Sequence, residues 1–445
     1  MSACINGANS SNPACGTLFT SATPPDTAYT ANFTTTSLPQ ATDTLQAIYY
    51  LLSNPTSGGN IATIFGLAGG VSGPYQPALA TQPTDWTIAI SYASTNTCGS
   101  ASGSFINSPI DINIDASDNV WIDNVQATGG GNLSEISGAG VPLTCVLQGT
   151  GKSLGGATVD NLGNVWTGSG TSLYRYNNGT TLAFPATVTP IGVTADGLGN
   201  IYFTAVTGGV GSLYQIPGGA SATVATVPIQ ISNTVGPNPV RLMPDYQKTG
   251  TVTIQGNIFV STGTTSVAEV SPSTTTTAPG YLNGFVTSTI PTSGNSYGIS
   301  LGPQNNLFVS AIDSGTITGL TLSGGSYVPL GNFPFTTPGT IGIATPTSIA
   351  VDGRLNVWIP NSATGNTSVS ELGSANGALG LSPSTGFQKD ATYLTSGRAL
   401  AVDQAGNVWV AGDGINFVTE IVGAGVPIFQ PYSLGLQKGR FQTIP

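Results

Sequence analysis

Residues able to carry acid–base or nucleophilic chemistry are scarce in this chain. Its 445 residues include no histidine, 9 Lys or Arg and 19 Asp or Glu. Without an imidazole, a Ser-His-Asp triad, a His-ligated zinc site and c-type haem attachment are excluded. Proton transfer in any active site would therefore depend on carboxylates or tyrosines.

Three carboxylates that follow aromatic segments, Asp123, Asp313 and Asp413, are the candidate metal ligands. With amides such as Asn124 and Asn361 they offer the oxygen atoms that Ca²⁺ binds, and Ca²⁺ is the one cofactor that the sequence suggests. Alternatively, two of these carboxylates about 5–9.5 Å apart would suit a glycan hydrolase or a lyase. Both hypotheses require distant parts of the chain to converge.

A second candidate site is the charged stretch that contains Arg241, Asp245, Tyr246 and Lys248. It is conspicuous because charged residues make up only 6% of the chain. Long loops on rigid scaffolds often bind ligands, so this stretch is a candidate binding loop. The alternative is a surface loop whose charges pair with one another, since exposed ion pairs signify little.

The four cysteines, Cys4, Cys15, Cys98 and Cys145, include no CxxC motif. An even number in a Gly-, Thr- and Ser-rich chain predicts two disulfides, one closing the loop from Cys4 to Cys15, and an extracellular or cell-surface location. Four unpaired thiols are the alternative. No apolar run could span a membrane, and no leader motif opens the sequence, so we expect any export signal to lie outside it.

A sequence unit recurs from about residue 110 to the end. It contains a β-branched run, an Asp-x-x-Gly/Asp-Asn turn and a second β-rich run with an aromatic residue, as in 400–411. Counting two weaker copies, at 252–261 and 299–310, the aromatic position occurs seven times, at intervals of 36 to 57 residues. Its residues are Trp121, Trp166, Tyr202, Phe259, Phe308, Trp358 and Trp409. This interval is typical of propeller blades.

Each unit reads as a small antiparallel sheet. The turn residues favour a tight hairpin, and a third run with the pattern Val-x-Glu-Ile follows, as at 418–421. The sequence therefore predicts an all-β fold, a seven-bladed β-propeller, with six blades as the alternative. We expect the turn aspartates to cap hairpins and the aromatic residues to fill the core.

The first hundred residues lack this repeat. A helix is predicted over 42–52 and a second helical turn over 61–67, whereas 86–92 alternates as a strand. We expect this strand to pair with a terminal blade and close the ring, because closure removes exposed strand edges. The predicted division is a partly helical segment, 1–100, and a propeller, 101–445.

The repeated Asp-x-x-Gly-Asn-Val-Trp motif, followed by Val-x-Glu-Ile, resembles the bacterial NHL-repeat and virginiamycin B lyase-like propellers. The head of the chain, with Cys15-Gly-Thr-Leu-Phe and Asp85-Trp-Thr-Ile-Ala-Ile, resembles the segment that precedes such repeats in exported bacterial surface proteins. The resemblance implies a bacterial, extracellular propeller. The lyases use a histidine and a glutamate near the central channel, and this chain has no histidine to match. The resemblance therefore predicts the propeller fold for this chain, but it does not predict the lyase activity.

The preferred functional hypothesis is a non-enzymatic, extracellular structural, adhesion or binding module. With 28 charges among 445 residues, the surface must be largely neutral and polar. Such a surface suits packing against copies of the same chain, or neutral hydrogen bonding to surface glycans. A net charge of −10 argues against a nucleic-acid partner.

Overall fold

The computed structural model describes the chain at residues 4, 12–23, 39–53, 55, 60–67, 81–83, 85–93, 97–98, 103–125, 131–148, 156–245, 248–249, 252–253, 255–302, 305–373, 379–388 and 392–440.

Within its described residues, the segment before the repeats has three helices and three short strands whose bounds are established. The helices are α1 (Pro13–Ala22), α2 (Thr44–Ser53) and α3 (Asn60–Gly66), and the strands are β1 (Ala89–Ala93), β2 (Thr97–Cys98) and β3 (Gly103–Ser104). Helices α2 and α3 match the predicted ones to within a few residues. Helix α1 was not predicted, although Asn12 caps it by accepting a hydrogen bond from the backbone N–H of Ala14.

The repeats form seven four-stranded antiparallel sheets, which confirms the seven-bladed propeller. Blades 1 and 2 comprise β4 (Pro109–Ile114), β5 (Val120–Asn124), β6 (Gly131–Ile136), β7 (Pro142–Gln148), β8 (Ala157–Val159), β9 (Val165–Ser169), β10 (Ser172–Asn177) and β11 (Thr180–Pro185). Blade 3 comprises β12 (Val193–Ala195), β13 (Ile201–Thr207), β14 (Val210–Ile216) and β15 (Ile229–Ser232).

The second half of the ring repeats this arrangement. Blade 4 comprises β16 (Leu242–Pro244), β19 (Ile258–Thr264), β20 (Ser266–Pro272) and β21 (Phe285–Pro291), and carries a hairpin of β17 (Lys248–Thr249) and β18 (Val252–Thr253). Blades 5 and 6 comprise β22 (Ser296–Leu301), β23 (Leu307–Ala311), β24 (Ile317–Ser323), β25 (Ser326–Pro329), β26 (Ala350–Val351), β27 (Asn356–Ala363), β28 (Asn366–Gly373) and β29 (Leu379–Gly380). Blade 7 comprises β30 (Gly397–Val402), β31 (Val408–Gly412), β32 (Phe417–Ile421) and β1.

The strand from the N-terminal segment completes the last blade. Strand β1 pairs antiparallel with β32, with Ala89 opposite Ile421 and Ala93 opposite Phe417. A strand that precedes the repeats therefore completes the last blade and closes the ring. The closing strand was predicted over 86–92. Tyr92 strengthens the junction, since its ring stacks on Trp409 and its hydroxyl donates to Glu420 at 2.6 Å.

The turn aspartates act as hairpin caps, as their spacing predicts. In blade 7, Oδ1 of Asp403 accepts from the backbone N–H groups of Ala405 and Asn407 at 2.9 and 2.7 Å. Its Oδ2 accepts from the Asn407 side chain at 2.8 Å and from the indole N–H of Trp409 at 2.9 Å. The other aspartates that cap a hairpin and bond the aromatic residue six positions later are Asp115, Asp160, Asp196 and Asp352.

Blade 4 corrects one assignment made from the sequence. From the sequence, residues 252–261 were predicted to form the first two strands of this blade. In the structure the innermost strand is β16, and residues 252–253 belong to the inserted hairpin. Asp245 is the turn aspartate of this blade, because its Oδ1 accepts from the backbone N–H of Asn257 at 2.8 Å. The inserted hairpin lies between Asp245 and Asn257 in the sequence. The two residues nevertheless form the same hydrogen bond as in the other turns.

The C-terminal segment covers one end of the ring. Helix α4 (Tyr432–Lys438) follows blade 7, and Leu436 is buried in the cluster that contains Phe259 and Leu307 of blades 4 and 5. Gln430 donates to the carbonyl of Val402, and Ser433 to that of Val159, each at 2.8 Å. Because these carbonyls end innermost strands of blades 7 and 2, the segment lies across the turn end of the central channel.

Both predicted disulfides are present. Cys4 is bonded to Cys15, and Cys98 to Cys145. The first is part of the small core of the N-terminal segment, with Leu18 and Phe19. The second joins β2, just after the closing strand, to the outer strand of blade 1. Among the described residues, no helix is long and apolar enough to cross a membrane. The predicted division near residue 100 stays a prediction.

Candidate functional site at the mouth of the channel

The central channel is narrow and is lined by the innermost strand of every blade. Its cavity volume is about 160 Å³, and its walls come from β4, β8, β12, β16, β22, β26 and β30. At the turn end, Ile428, Gln430 and Tyr432 of the C-terminal segment also line it. Sites for drug-sized ligands usually measure about 300–1,000 Å³, so this cavity is small for an organic substrate.

One residue per blade borders the opposite end of the channel, the mouth, two positions before the residue that pairs with the aromatic residue of the next strand. Strand register aligns these seven positions around the ring. Five are small and two are charged: Asp111, Gly156, Gly192, Arg241, Gly298, Ser348 and Ala399. The small residues leave room for a long side chain to cross the mouth.

Arg241 crosses that space. Its Nη1 donates to Oδ1 of Asp111 at 2.8 Å, which joins blade 4 to blade 1. Its Nη2 lies 3.4 Å from the carbonyl oxygens of Ile110 and Arg398, the latter in blade 7. Blade 4 lies opposite blades 1 and 7 in a seven-membered ring, so the guanidinium spans the diameter of the mouth.

Asp111 is held on its other side by blade 2. Its Oδ2 accepts from the backbone N–H of Ala157 at 3.0 Å. A Cβ on Gly156 would lie 2.3 Å from the same oxygen, so no residue larger than glycine fits there without displacing the carboxylate. The side chains of Arg241 and Asp111 are only 18% and 10% exposed, and the pair is therefore a largely desolvated ion pair.

The electrostatics of the mouth favour a charged Arg241. Burial disfavours the guanidinium charge, but the facing carboxylate of Asp111 and its hydrogen bond outweigh burial and raise the pKa of Arg241. Asp123 adds a smaller effect in the same direction. Asp123 lies directly opposite Asp111 in the β4–β5 ladder, is fully buried and accepts a hydrogen bond from the Thr167 hydroxyl at 2.9 Å.

A second arginine, Arg398 of blade 7, contacts an aromatic ring: its guanidinium lies 6.0 Å from the ring centre of Tyr297.

The structure brings together Arg241 and Asp123, which the sequence placed in two different candidate sites. It does not bring together the three candidate calcium ligands, because no three acidic or thiolate groups in the described part of the chain form a metal-sized cluster. Asp313 is exposed and accepts from the backbone N–H of Asn295, and Asp413 is half-buried. The predicted amide ligands Asn124 and Asn361 are buried within their blades, where both bond neighbouring serines.

The residues of the predicted binding loop lie in different surroundings, and ligand binding by this stretch stays a prediction. Arg241 enters the channel mouth, and Asp245 is buried as a turn cap, so neither belongs to an exposed loop. Tyr246 and the side chain of Lys248 lie outside the described residues. Asp111 is not among the site residues predicted from the sequence. Aligning blade 4 on Asp245 would have revealed it, since Asp111 and Arg241 then occupy the same repeat position among small residues.

Solved structures share this architecture at low sequence identity. A streptogramin B lyase structure matches with a TM-score of 0.54 and 14% identity over 75% of this chain and 97% of that chain. A catalytically inactive histidine-to-alanine variant of virginiamycin B lyase from Staphylococcus aureus, with quinupristin, matches with a TM-score of 0.54 and 16% identity over 75% and 98% of the two chains. The chain has the virginiamycin B lyase-like propeller fold.

A third match comes from a signalling protein. The extracellular domain of a hybrid two-component system from B. thetaiotaomicron has a TM-score of 0.50 and 11% identity over 77% of this chain and 44% of that chain. No family model and no curated protein matches the sequence. At these identities the likeness shows the fold alone, and function must be argued from the site.

Proposed function

We propose that this chain is a non-enzymatic, extracellular or cell-surface β-propeller that serves as a structural, adhesion or binding module. The observation that supports it most is the Arg241–Asp111 ion pair across the channel mouth. The pair crosses the mouth, and both Nη atoms of Arg241 and both carboxylate oxygens of Asp111 bond groups of the protein itself. The small volume of the channel supports the same conclusion.

The chemistry of the lyases offers a second argument. The virginiamycin B lyase variant that lacks one histidine is described as catalytically inactive. This chain contains no histidine at any of its 445 positions, so that residue has no counterpart here. An enzymatic role would need a different catalytic group at a different place.

The proposed location and partners follow from composition. Two disulfides favour an oxidising compartment, which agrees with an extracellular location. The low charge content favours neutral partners, namely copies of this chain or surface glycans, over nucleic acid.

A ring-opening assay tests the proposal. Purified protein is incubated with quinupristin beside an active virginiamycin B lyase, and product is followed by mass spectrometry. We expect no ring opening above the buffer blank, and the same result for Arg241→Ala. Turnover by this chain that Arg241→Ala changes would overturn the non-enzymatic role and place chemistry at the mouth.

A further inference from the structure

The outermost strand of each blade leaves a row of backbone N–H and C=O groups without a neighbouring strand. Such edges invite pairing with other chains, and proteins usually protect them with Lys, Pro or very short strands. With only 9 Lys and Arg, this chain uses the other two devices. Five outer strands contain or directly follow a proline: β7 (Pro142), β11 (Pro185), β15 (Pro228), β21 (Pro291) and β25 (Pro329). A sixth outer strand, β29, is only two residues long.

Strand β1 is the exception among the outer strands that the structure describes. It runs over Ala89–Ala93 with no proline and no charged residue, and the nearest prolines in the sequence are Pro83 and Pro109. Ile88 is 51% exposed and Ile90 is 43% exposed beside this edge. An uncharged strand with exposed isoleucines, at an edge where no described strand pairs with it, has the properties that promote pairing with another chain.

The register of β1 shows which backbone groups face outwards. The carbonyl of Ile88 accepts from the N–H of Val422 at 2.8 Å, so the backbone of Ile88 points towards β32. In an antiparallel ladder this orientation alternates. Ile90 and Tyr92 therefore point inwards too, whereas the N–H and C=O groups of Ala89, Ser91 and Ala93 point away from the blade.

We propose that two copies of this chain pair antiparallel through the free edges of β1, with Ser91 opposite Ser91 of the second copy. This register matches every outward-facing group, because Ala89 then bonds Ala93 of the other copy. It also sets Ile90 opposite Tyr92, an aromatic and β-branched cross-strand pair. The contact would join two blades 7 into one eight-stranded sheet.

Symmetry selects a second copy over an unrelated strand. An antiparallel pair of identical strands is related by a two-fold axis, so the contact closes on itself and stops at a dimer. No charge in β1 opposes it. The net charge of −10 on each chain opposes association, but salt of about 0.15 M screens it beyond about 8 Å.

The inference deepens the structural role proposed above, and its test is independent of the ring-opening assay. Multi-angle light scattering on the full chain should give twice the mass of 44.7 kDa at micromolar concentration and 0.15 M salt. In Ser91→Lys two ammonium groups would face each other at the two-fold axis, so we expect dimerisation to weaken by at least about 100-fold. Thr181→Lys, on the exposed face of the proline-protected β11, is the matched control and should remain dimeric.

A second variant reports the register directly. Ser91→Cys should form a covalent dimer under mild oxidation, because opposite residues of a hydrogen-bonded pair lie about 5.5 Å apart at Cα. Ile90→Cys and Thr181→Cys should cross-link much less. A wild-type chain that stays monomeric at several hundred micromolar, or a dimer that persists unchanged in Ser91→Lys, would overturn the proposal whatever the ring-opening assay gives.

Discussion

At the scale of single residues, one ion pair decides what the channel can do. Arg241 and Asp111 are separated by 130 positions in sequence, and both occupy the repeat position that is small in the other five blades. Their pairing makes the mouth of the channel an internal contact between opposite blades. The same residues that fill the mouth therefore also fasten the ring across its diameter.

Removing one partner of this pair should be costly. Arg241→Met leaves the Asp111 carboxylate desolvated and without its counter-charge, so we expect the free energy of unfolding to fall by about 3 kcal/mol. Urea unfolding followed by tryptophan fluorescence measures it.

The double variant Arg241→Met with Asp111→Asn provides the control. The amide keeps an acceptor for Ala157 but carries no charge, so the double variant should recover more than half of the loss. An equal or larger loss in the double variant would mean that Arg241 acts through packing alone.

At the scale of elements, the hairpin module was largely predictable and the mouth was not. Asp403, Asn407 and Trp409 recur at fixed spacing because local turn chemistry and local hydrogen bonds demand them. The contact between Arg241 and Asp111 depends on how many blades close the ring, which no local pattern encodes. Blade 4 added a second obstacle, since its inserted hairpin separates Asp245 from Asn257.

The third strand of the module adds a buried acid to the turn. Asn356 donates to Glu371 at 2.9 Å, and Asn119 and Asn257 donate likewise to Glu135 and Glu269. Burial raises the pKa of each glutamate, and it raises the pKa of Glu371 well above its ordinary value, with the nearby Asp352 adding to the shift. Glu420 follows the same trend.

These raised pKa values predict a protein that is most stable in acid. A carboxyl whose pKa is higher in the folded state binds more protons when folded, so its contribution is complete below its unfolded pKa and is lost as pH rises through the folded value. We therefore expect a higher Tm at pH 4.5 than at pH 7.5, measured by differential scanning calorimetry. Glu371→Gln keeps an acceptor for Asn356 and should flatten this dependence.

Asp313→Asn is the matched control for that measurement, because its carboxylate is exposed on a surface turn. It should leave the slope of Tm against pH as it is in the wild type. A Tm that rises from pH 4.5 to pH 7.5 would contradict the role given to the buried glutamates.

Helix α4 supplies a prediction about the closed end of the channel. A Cβ on Gly197 would lie 2.7 Å from the backbone nitrogen of Gln437, so Gly197→Ala must displace the helix. We expect a loss of about 1–3 kcal/mol and faster proteolysis within 432–440. Gly339→Ala, where a Cβ meets open space, is the control and should behave as the wild type. Equal proteolysis of both variants would show that the helix is not seated on blade 3.

At the scale of the whole molecule, charge scarcity connects the surface to the fold. The chain has too few lysines to protect its sheet edges, and proline does this work at five of the seven blades. Within the described residues the interior also has a single ion pair, placed where it joins opposite blades. Both features agree with the structural role proposed above.

The pairing of β1 with β32 also sets the order in which the protein can be made. A ribosome releases residues 89–93 early, whereas their partner at 417–421 emerges only after six other blades have been synthesised. Throughout that interval the nascent chain carries an uncharged strand that cannot yet fold into place. Blade 7 is therefore the last blade that can be completed, and the closure of the ring waits for the C-terminal end of the repeats.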